Sequence, residues 1–261
     1  MQLDEFKEKI KTKSQELYIS IAEPESKKTI KFSIHNNTTL WRAQTLFSKE
    51  PITIDWIKNF SKEKIFYDIG ANIGIYSIFA SLISQVKTFS FEPESNNYQI
   101  LMENIILNNL MEYIIPYPIG ISDTTELTSL YLSQFGKAQS HHMVKESLNA
   151  NLEKKETKFK QGIFTTSLNK LITKWDLPIP NYLKIDVDGI EYKIIEKSDF
   201  LLEKKELESI LIEINSNRKE DKKIIQKLLS YDFTFDKSQV ELSTRNSGSH
   251  KGYAEYLFYR K

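Results

Sequence analysis

From residue 65 onward, short apolar runs alternate with longer stretches in which apolar residues recur every three to four positions. The runs predict strands over 65–69, 86–91, 113–119, 127–132, 181–187 and 208–214. The amphipathic stretches predict helices over 73–84, 94–109, 167–175, 190–203 and 218–230. Two more strands are expected near 232–240 and 253–260, joined through Asn246-Ser247-Gly248-Ser249 and Gly252. Such alternation requires a parallel sheet with helices on both faces and right-handed crossovers. The closing pair has no helix between its members, so it can only be antiparallel.

Ahead of this pattern, residues 3–18 carry Leu3, Phe6, Ile10 and Leu17 among Lys and Glu, which reads as a surface helix, the alternative being a helix packed on the main domain or on another subunit. Residues 28–34 alternate as a short strand, Asn36-Asn37-Thr38-Thr39 reads as a turn, and 41–60 reads as mostly helical. The expected organisation is an N-terminal extension over 1–60, a lid or dimer arm, followed by a single α/β domain over 61–261. Within that domain, the polar segment 134–162 is expected to be a cap over the active site. No repeat and no Pro- or Gly-rich linker divides the chain.

Chemistry enters at Ile65-Phe66-Tyr67-Asp68-Ile69-Gly70-Ala71-Asn72-Ile73-Gly74-Ile75-Tyr76-Ser77, followed by Phe91-Glu92-Pro93. Gly70 lets the backbone leave the strand at an angle that a side chain would forbid, and Gly74 lets the next helix pack closely. Glu92 lies 22 positions after Gly70 at the end of the next strand, where a carboxylate can accept hydrogen bonds from both hydroxyls of an adenosine ribose. A glycine-rich turn alone is often only a loop; the acidic strand end in register makes it a nucleotide-cofactor pocket. A dinucleotide site needs a third glycine at the place of Asn72, and Asp68 would repel a pyrophosphate. The acid suits a cationic ligand better, such as S-adenosylmethionine with its ammonium and sulfonium.

These segments, together with Asn104, Asn108-Asn109, Thr166-Ser167-Leu168 and Leu183-Lys184-Ile185-Asp186-Val187-Asp188-Gly189-Ile190-Glu191, closely resemble the FkbM family of S-adenosylmethionine-dependent methyltransferases over about residues 60–215. The family more often has Glu where this chain has Asp188, a change that keeps the charge. The resemblance implies the Rossmann-like seven-stranded class I methyltransferase sheet. It also implies acceptors such as polyketide-type metabolites or sugars of bacterial surface glycans. The set assigned to the cofactor is Asp68, Gly70, Asn72, Gly74, Tyr76, Ser77, Glu92, Gly120, Ile121 and Asp186.

The strand at 181–187 empties into Asp186, Asp188 and Glu191, three acids in six residues that need a cationic partner: the cofactor, Lys184, a divalent cation or solvent. Asp188 and Glu191 also suit the N-terminus of the next helix, where the dipole favours acids. Methyl transfer to a hydroxyl requires alignment and removal of its proton. The candidate bases are Asp186 and the adjacent pair His141-His142. No metal is expected; the alternative is an all-oxygen site of Asp186, Glu213 and Asn215.

Composition narrows the partners. With 36 Lys plus Arg against 35 Asp plus Glu, the net charge of +1 gives no global field that selects nucleic acid or a membrane surface. Cysteine is absent, which removes disulfides and thiolate nucleophiles and is compatible with a reducing cytosol but also with other compartments. The segment Met1-Gln2-Leu3-Asp4-Glu5-Phe6-Lys7 lacks the pattern of a leader, and no run approaches about eighteen apolar residues, so a soluble cytoplasmic protein is expected. The expected activity is O-methylation of a sugar hydroxyl, nucleotide-activated or glycan-linked, in the making of a bacterial surface or capsule polysaccharide. A polyketide-type metabolite is the alternative acceptor. An NAD-type oxidoreductase and a non-catalytic binding domain are the alternatives of other classes.

Overall fold

The computed structural model describes residues 17–132, 136–139, 143–144, 159–187, 189–248 and 251–260. The extension contributes an antiparallel pair, β1 (Tyr18–Ala22) and β2 (Thr29–Ser33), then helices α1 (Asn37–Gln44) and α2 (Pro51–Lys58). The chain continues through β3 (Ile65–Ile69), α3 (Ile75–Phe79) with a π turn at Ala80–Ser84, β4 (Lys87–Phe91), α4 (Ser95–Leu107) and β5 (Ile114–Tyr117). Short strands follow at β6 (Gly120–Ile121), β7 (Glu126–Leu132) and β8 (Met143–Val144), then β9 (Phe159–Thr166) and α5 (Leu168–Thr173). The rest is β10 (Tyr182–Ile185), α6 (Glu191–Glu196), α7 (Asp199–Leu202), β11 (Ser209–Asn215), α8 (Lys219–Ser230), β12 (Phe233–Phe235), α9 (Lys237–Ser243) and β13 (Tyr253–Arg260).

Seven strands form one sheet in the order β12-β13-β11-β10-β3-β4-β5, parallel except for β13, which runs antiparallel to both neighbours. This is the Rossmann-like class I methyltransferase sheet that the family resemblance implies. The direction of strand addition reverses between β3 and β10, and the crevice outside their carboxyl ends is where open α/β sheets take ligands. A second sheet, β6-β9-β7-β8, stands beside it. The end of the polar segment 134–162 is therefore strand: Phe159 to Gly162 belongs to β9, which pairs with β7.

Side-chain alternation divides the core in two. Tyr67, Ile69, Phe91, Leu183, Ile185 and Ile212 face α6 and α8, while Phe66, Tyr182 and Leu211 face the other way. That second layer is built with the extension: Ile30, Phe32, Leu46, Ile54, Trp56 and Ile57 are buried in one cluster with Phe66, Ile78 and Phe79. Trp56 packs edge-on against Phe66 at 5.8 Å, and its Nε1 donates to Ser209 Oγ at 2.9 Å. Burying such a ring contributes about 2–3 kcal/mol. The described part of 1–60 thus shares the domain's core.

The structure departs from the sequence expectations at several boundaries. Asn36 to Thr39 is a helix start, because Asn36 Oδ1 accepts the Thr39 N–H at 2.9 Å while Thr39 Oγ1 accepts the Asn36 N–H at 3.0 Å. The expected helix 190–203 is broken between α6 and α7, where Ser198 Oγ donates to Ile194 O at 2.6 Å and offers the backbone a competing partner. The expected strand 232–240 ends at Phe235, because Asp236 accepts the Ser238 N–H at 2.8 Å and caps α9. Leu17 and Tyr18 lie in or beside β1 rather than in a helix; the remainder of the expected helix 3–18, apart from residue 17 onward, lies outside the described residues.

Candidate functional site

The loop after β3 is shaped by close backbone approach. Gly70 has φ +81°, and a Cβ there would fall 1.9 Å from the Asp186 carbonyl oxygen, so no side chain fits without displacing the end of β10. Asn72 is also left-handed at φ 51°, a conformation that Asn tolerates better than most residues. Gly70 and Ala71 donate their N–H groups to Phe91 O at 2.9 and 3.1 Å, which ties the loop to the end of β4. At Gly74 a Cβ would meet Leu101 Cδ1 at 2.3 Å, so this glycine sets the packing of α3 on α4 and does not face the crevice.

Glu92 follows β4 and closes this arrangement from the other side. One carboxylate oxygen accepts the Asn72 N–H at 2.7 Å and the other accepts the Glu94 N–H at 2.9 Å. Burial pushes its pKa up to about 7 against the pull of these two donors.

Asp68 and Ser77 lie beneath the loop, contrary to their expected contact with a ligand. Strand alternation places Asp68 in register with Lys184, on the sheet face covered by α3. There Ser77 Oγ donates to Asp68 Oδ2 at 2.5 Å and Ser90 Oγ donates to Ser77 Oγ at 2.7 Å. Burial raises the Asp68 pKa, opposed by the Lys184 charge, and its Oδ1 has no hydrogen-bond partner among the described residues. The pair fixes the loop from below.

Two clefts open on either side of the loop and meet at Gly70, Asn72 and Asp186. The first has apolar walls from Ile69, Phe91, Ile121, Leu130, Val187 and Ile190, with Asn72, Glu92, Asn97, Gln139 and Asp186 among its polar groups and Gly120 in its lining. The second is charged: Arg42 and Lys49 from the extension, then Tyr76, Lys184 and Asp186. A strap at residues 136–139 joins the two. Asn72 Nδ2 and Asn97 Nδ2 donate to Gln139 O at 2.9 and 3.0 Å, and Arg42 Nε donates to Ala138 O at 3.1 Å.

The acids at the tips of β10 and β11 have protein partners. Lys184 is 2% exposed, bonds Asp186 Oδ2 at 2.9 Å and lies 5.0 Å from the Tyr76 ring centroid. Burial would raise the Asp186 pKa, but the Lys184 ammonium, helped by Lys49 and Arg42, outweighs it and holds the carboxyl well below the usual range. Glu191 Oε1 accepts the Gly189 and Val187 N–H groups at 3.1 and 3.3 Å, a capping role at the start of α6. Glu213 is paired with Arg245 at 2.7 Å and pushed up to about 8 by burial and the charge of Asp186. Asn215 Oδ1 accepts the Asn217 N–H at 3.1 Å. Asp186, Glu213 and Asn215 are therefore each engaged separately, and among the described residues no group of three or more His, Cys, Asp or Glu is placed to hold a metal. His141, His142 and Asp188 lie outside the described residues.

Of the expected site residues, Gly70, Asn72, Glu92, Gly120, Ile121 and Asp186 come together at the first cleft and Tyr76 lines the second. Arg42, Lys49, Asn97 and Gln139 were not foreseen. Nothing in the spacing around them signals a ligand, because their place depends on contacts between distant segments.

The sequence model of the methyltransferase FkbM domain family matches residues 68–235. The hexuronic acid methyltransferase AglP of Haloferax volcanii is 24% identical over 200 residues, 77% of this chain and 75% of its own length. The crystal structure of a precorrin-6y C5,15-methyltransferase from Geobacter metallireducens GS-15 superposes with a TM-score of 0.47 at 13% identity, over 81% of this chain and 87% of that one. An rRNA methylase from Streptococcus thermophilus gives 0.47 at 12% identity, over 80% and 94%. Among the described residues no helix is long and apolar enough to cross a membrane.

Proposed function

The chain belongs to the FkbM methyltransferase family, an S-adenosylmethionine-dependent family, and from that premise we propose that it methylates a hydroxyl oxygen of a sugar. The sugar is nucleotide-activated or glycan-linked and enters a bacterial surface polysaccharide. The observation that carries the sugar is the similarity, over 77% of the chain, to a methyltransferase named for hexuronic acid.

The residues present suit the cofactor. Gly70 lets the loop lie against the Asp186 carbonyl where the two clefts meet, the first cleft offers apolar walls to an adenine, and Glu92 offers a carboxylate to ribose hydroxyls. Asp186 faces both clefts and, kept ionised by Lys184, attracts an ammonium. When bound, S-adenosylmethionine supplies an electrophilic methyl on a sulfonium that leaves without protonation. The chain's task is then to align the acceptor oxygen and to take up its proton.

Asp186 is poorly matched to that proton, since a carboxylate held so far below neutrality is a weak base. Its role in this reading is orientation. The base is His141 or His142, which follow the cleft residue Gln139 by two and three positions in the chain. The reading is tested by incubating the protein with S-adenosylmethionine and a panel of nucleotide sugars and uronic-acid oligosaccharides. Mass spectrometry should find one added methyl per S-adenosylhomocysteine formed, lost in the His variant and retained after exhaustive chelation. Methylation of a polyketide-type acceptor with every sugar refused would overturn the substrate class. Chelator inhibition reversed by Mg²⁺ would overturn the metal-free route.

A further inference from the structure

The second cleft has the electrostatics of an α-amino-acid site. Lys184 is paired with Asp186 at 2.9 Å and Lys49 with Glu50 Oε1 at 2.5 Å, so each of these lysines already has an acid. Arg42 differs. Its Nε bonds a neutral group, the Ala138 carbonyl, and among the described residues its guanidinium has no carboxylate at ion-pairing distance. An arginine carries five N–H donors in a planar fork, so most of its capacity remains for a planar anion. The same cleft holds the Asp186 carboxylate, 36% exposed and shared with the apolar cleft. One cleft therefore offers both a cation and an anion, which is complementary to a zwitterion bearing a carboxylate and an ammonium.

We propose that the N-terminal segment completes the cofactor site, with Arg42 on the last turn of α1 binding the carboxylate of the methionyl end of S-adenosylmethionine and Asp186 its ammonium. This rests on the assignment of the adenosyl half to the neighbouring apolar cleft. The two clefts share Gly70, Asn72 and Asp186, so a single ligand can occupy both without leaving the crevice. The strap adds a coupling. Arg42 holds Ala138, and Asn72 and Asn97 hold Gln139, so the extension and the glycine loop grip adjacent residues of one segment. Residues 17–60 then act as a wall of the cofactor site, with a geometry fixed by their share of the core.

The test compares S-adenosylhomocysteine with 5′-methylthioadenosine, which keeps the adenosyl half and lacks the amino-acid end, by calorimetry on the wild type, Arg42→Ala and Arg42→Lys. Arg42→Ala should weaken S-adenosylhomocysteine about 10- to 100-fold while leaving 5′-methylthioadenosine unchanged. Arg42→Lys, which keeps the charge and loses the fork, should fall between. Unchanged 5′-methylthioadenosine affinity also reports that the variants are folded. Equal loss for both ligands would overturn the proposal and reduce Arg42 to a support of the strap. Unchanged S-adenosylhomocysteine affinity with a raised KM for the sugar would overturn it in favour of an acceptor contact. A wild type that binds neither ligand would remove the adenosyl assignment, and this proposal with it.

Discussion

The two clefts meet at Gly70, Asn72 and Asp186 but are made in different ways. The apolar one takes its glycine loop and Glu92 from one short stretch, Ile69 to Asn97, where backbone turns and the register of two adjacent parallel strands set the shape, and closes with walls from Ile121, Leu130, Val187 and Ile190. The charged one joins Arg42 and Lys49 to Lys184 and Asp186 across most of the chain. Its shape is set by the packing of α1 and α2 on the sheet. The loop side of the first is specified by local covalent geometry, while the second exists only once the second core layer has formed. Substitutions at the shared loop should therefore disable both clefts, and substitutions in either wall should separate them.

Gly70→Val carries the largest expected effect. A Cβ 1.9 Å from the Asp186 carbonyl forces the loop and the β10 end apart, on a backbone already at φ +81°. Neither S-adenosylhomocysteine nor 5′-methylthioadenosine should bind measurably. Gly74→Val, whose Cβ meets the Leu101 side chain, should lower the melting temperature more than it lowers affinity. Normal binding by folded Gly70→Val would break the comparison at its hinge.

Next comes Lys184→Met, which attacks the charged cleft alone. It leaves Asp186 without its buried partner, at a cost of about 2–3 kcal/mol in denaturant unfolding, below the fully buried case because Asp186 is partly open. Affinity for 5′-methylthioadenosine should stay near wild type. Its loss would mean that the two clefts are not separable.

Glu92→Gln attacks the apolar cleft. Charge-assisted bonds to the ribose are worth about 1.5–3 kcal/mol, so both ligands should weaken about 10- to 100-fold. Because Glu92 in the free protein sits at about 7, its ionised form grows as pH rises through neutrality. Wild-type affinity should therefore rise from about pH 6 to about pH 8, while Glu92→Gln stays flat. A wild-type affinity that falls over this range would reverse the role given to Glu92.

The smallest effect is on stability against pH. Glu92, Glu191 and Glu255 at about 7 and Glu213 at about 8 all lie above the ordinary glutamate value of 4.5, burial being the main cause in each. Between 4.5 and about 8 the folded chain holds protons that the unfolded chain has released, so stability falls as pH rises through this window. The melting temperature should drop between about pH 6 and about pH 8.5, and Glu213→Gln should flatten the upper part of that slope. A rising melting temperature would show that these carboxyls are ionised in the fold.

The same division decides what the sequence discloses. The parallel strands, the glycine loop and the place of Glu92 are legible because spacing along 68–92 becomes geometry through one turn and one strand register. The same spacing reads Asp68 as an acid at the ligand, but it gives only the strand and not which acid lines the crevice. Pairing Lys184 against Asp68 turns that acid under α3 and leaves Asp186 at the opening. Arg42 and Lys49 were illegible because no local period connects them to residue 186. The end of the strand expected at 232–240 failed for a different reason: a single Asp236 cap outweighed a run of strand-like residues.

The central claim is that one cofactor spans both clefts across the Gly70–Asn72 loop, and a crystal structure with S-adenosylhomocysteine tests it most directly. In that structure the ribose hydroxyls should lie on Glu92, the amino group on Asp186 and the carboxylate at Arg42. A ligand bound with Glu92 turned away, or with its amino-acid end outside the cleft of Arg42 and Lys184, would contradict it.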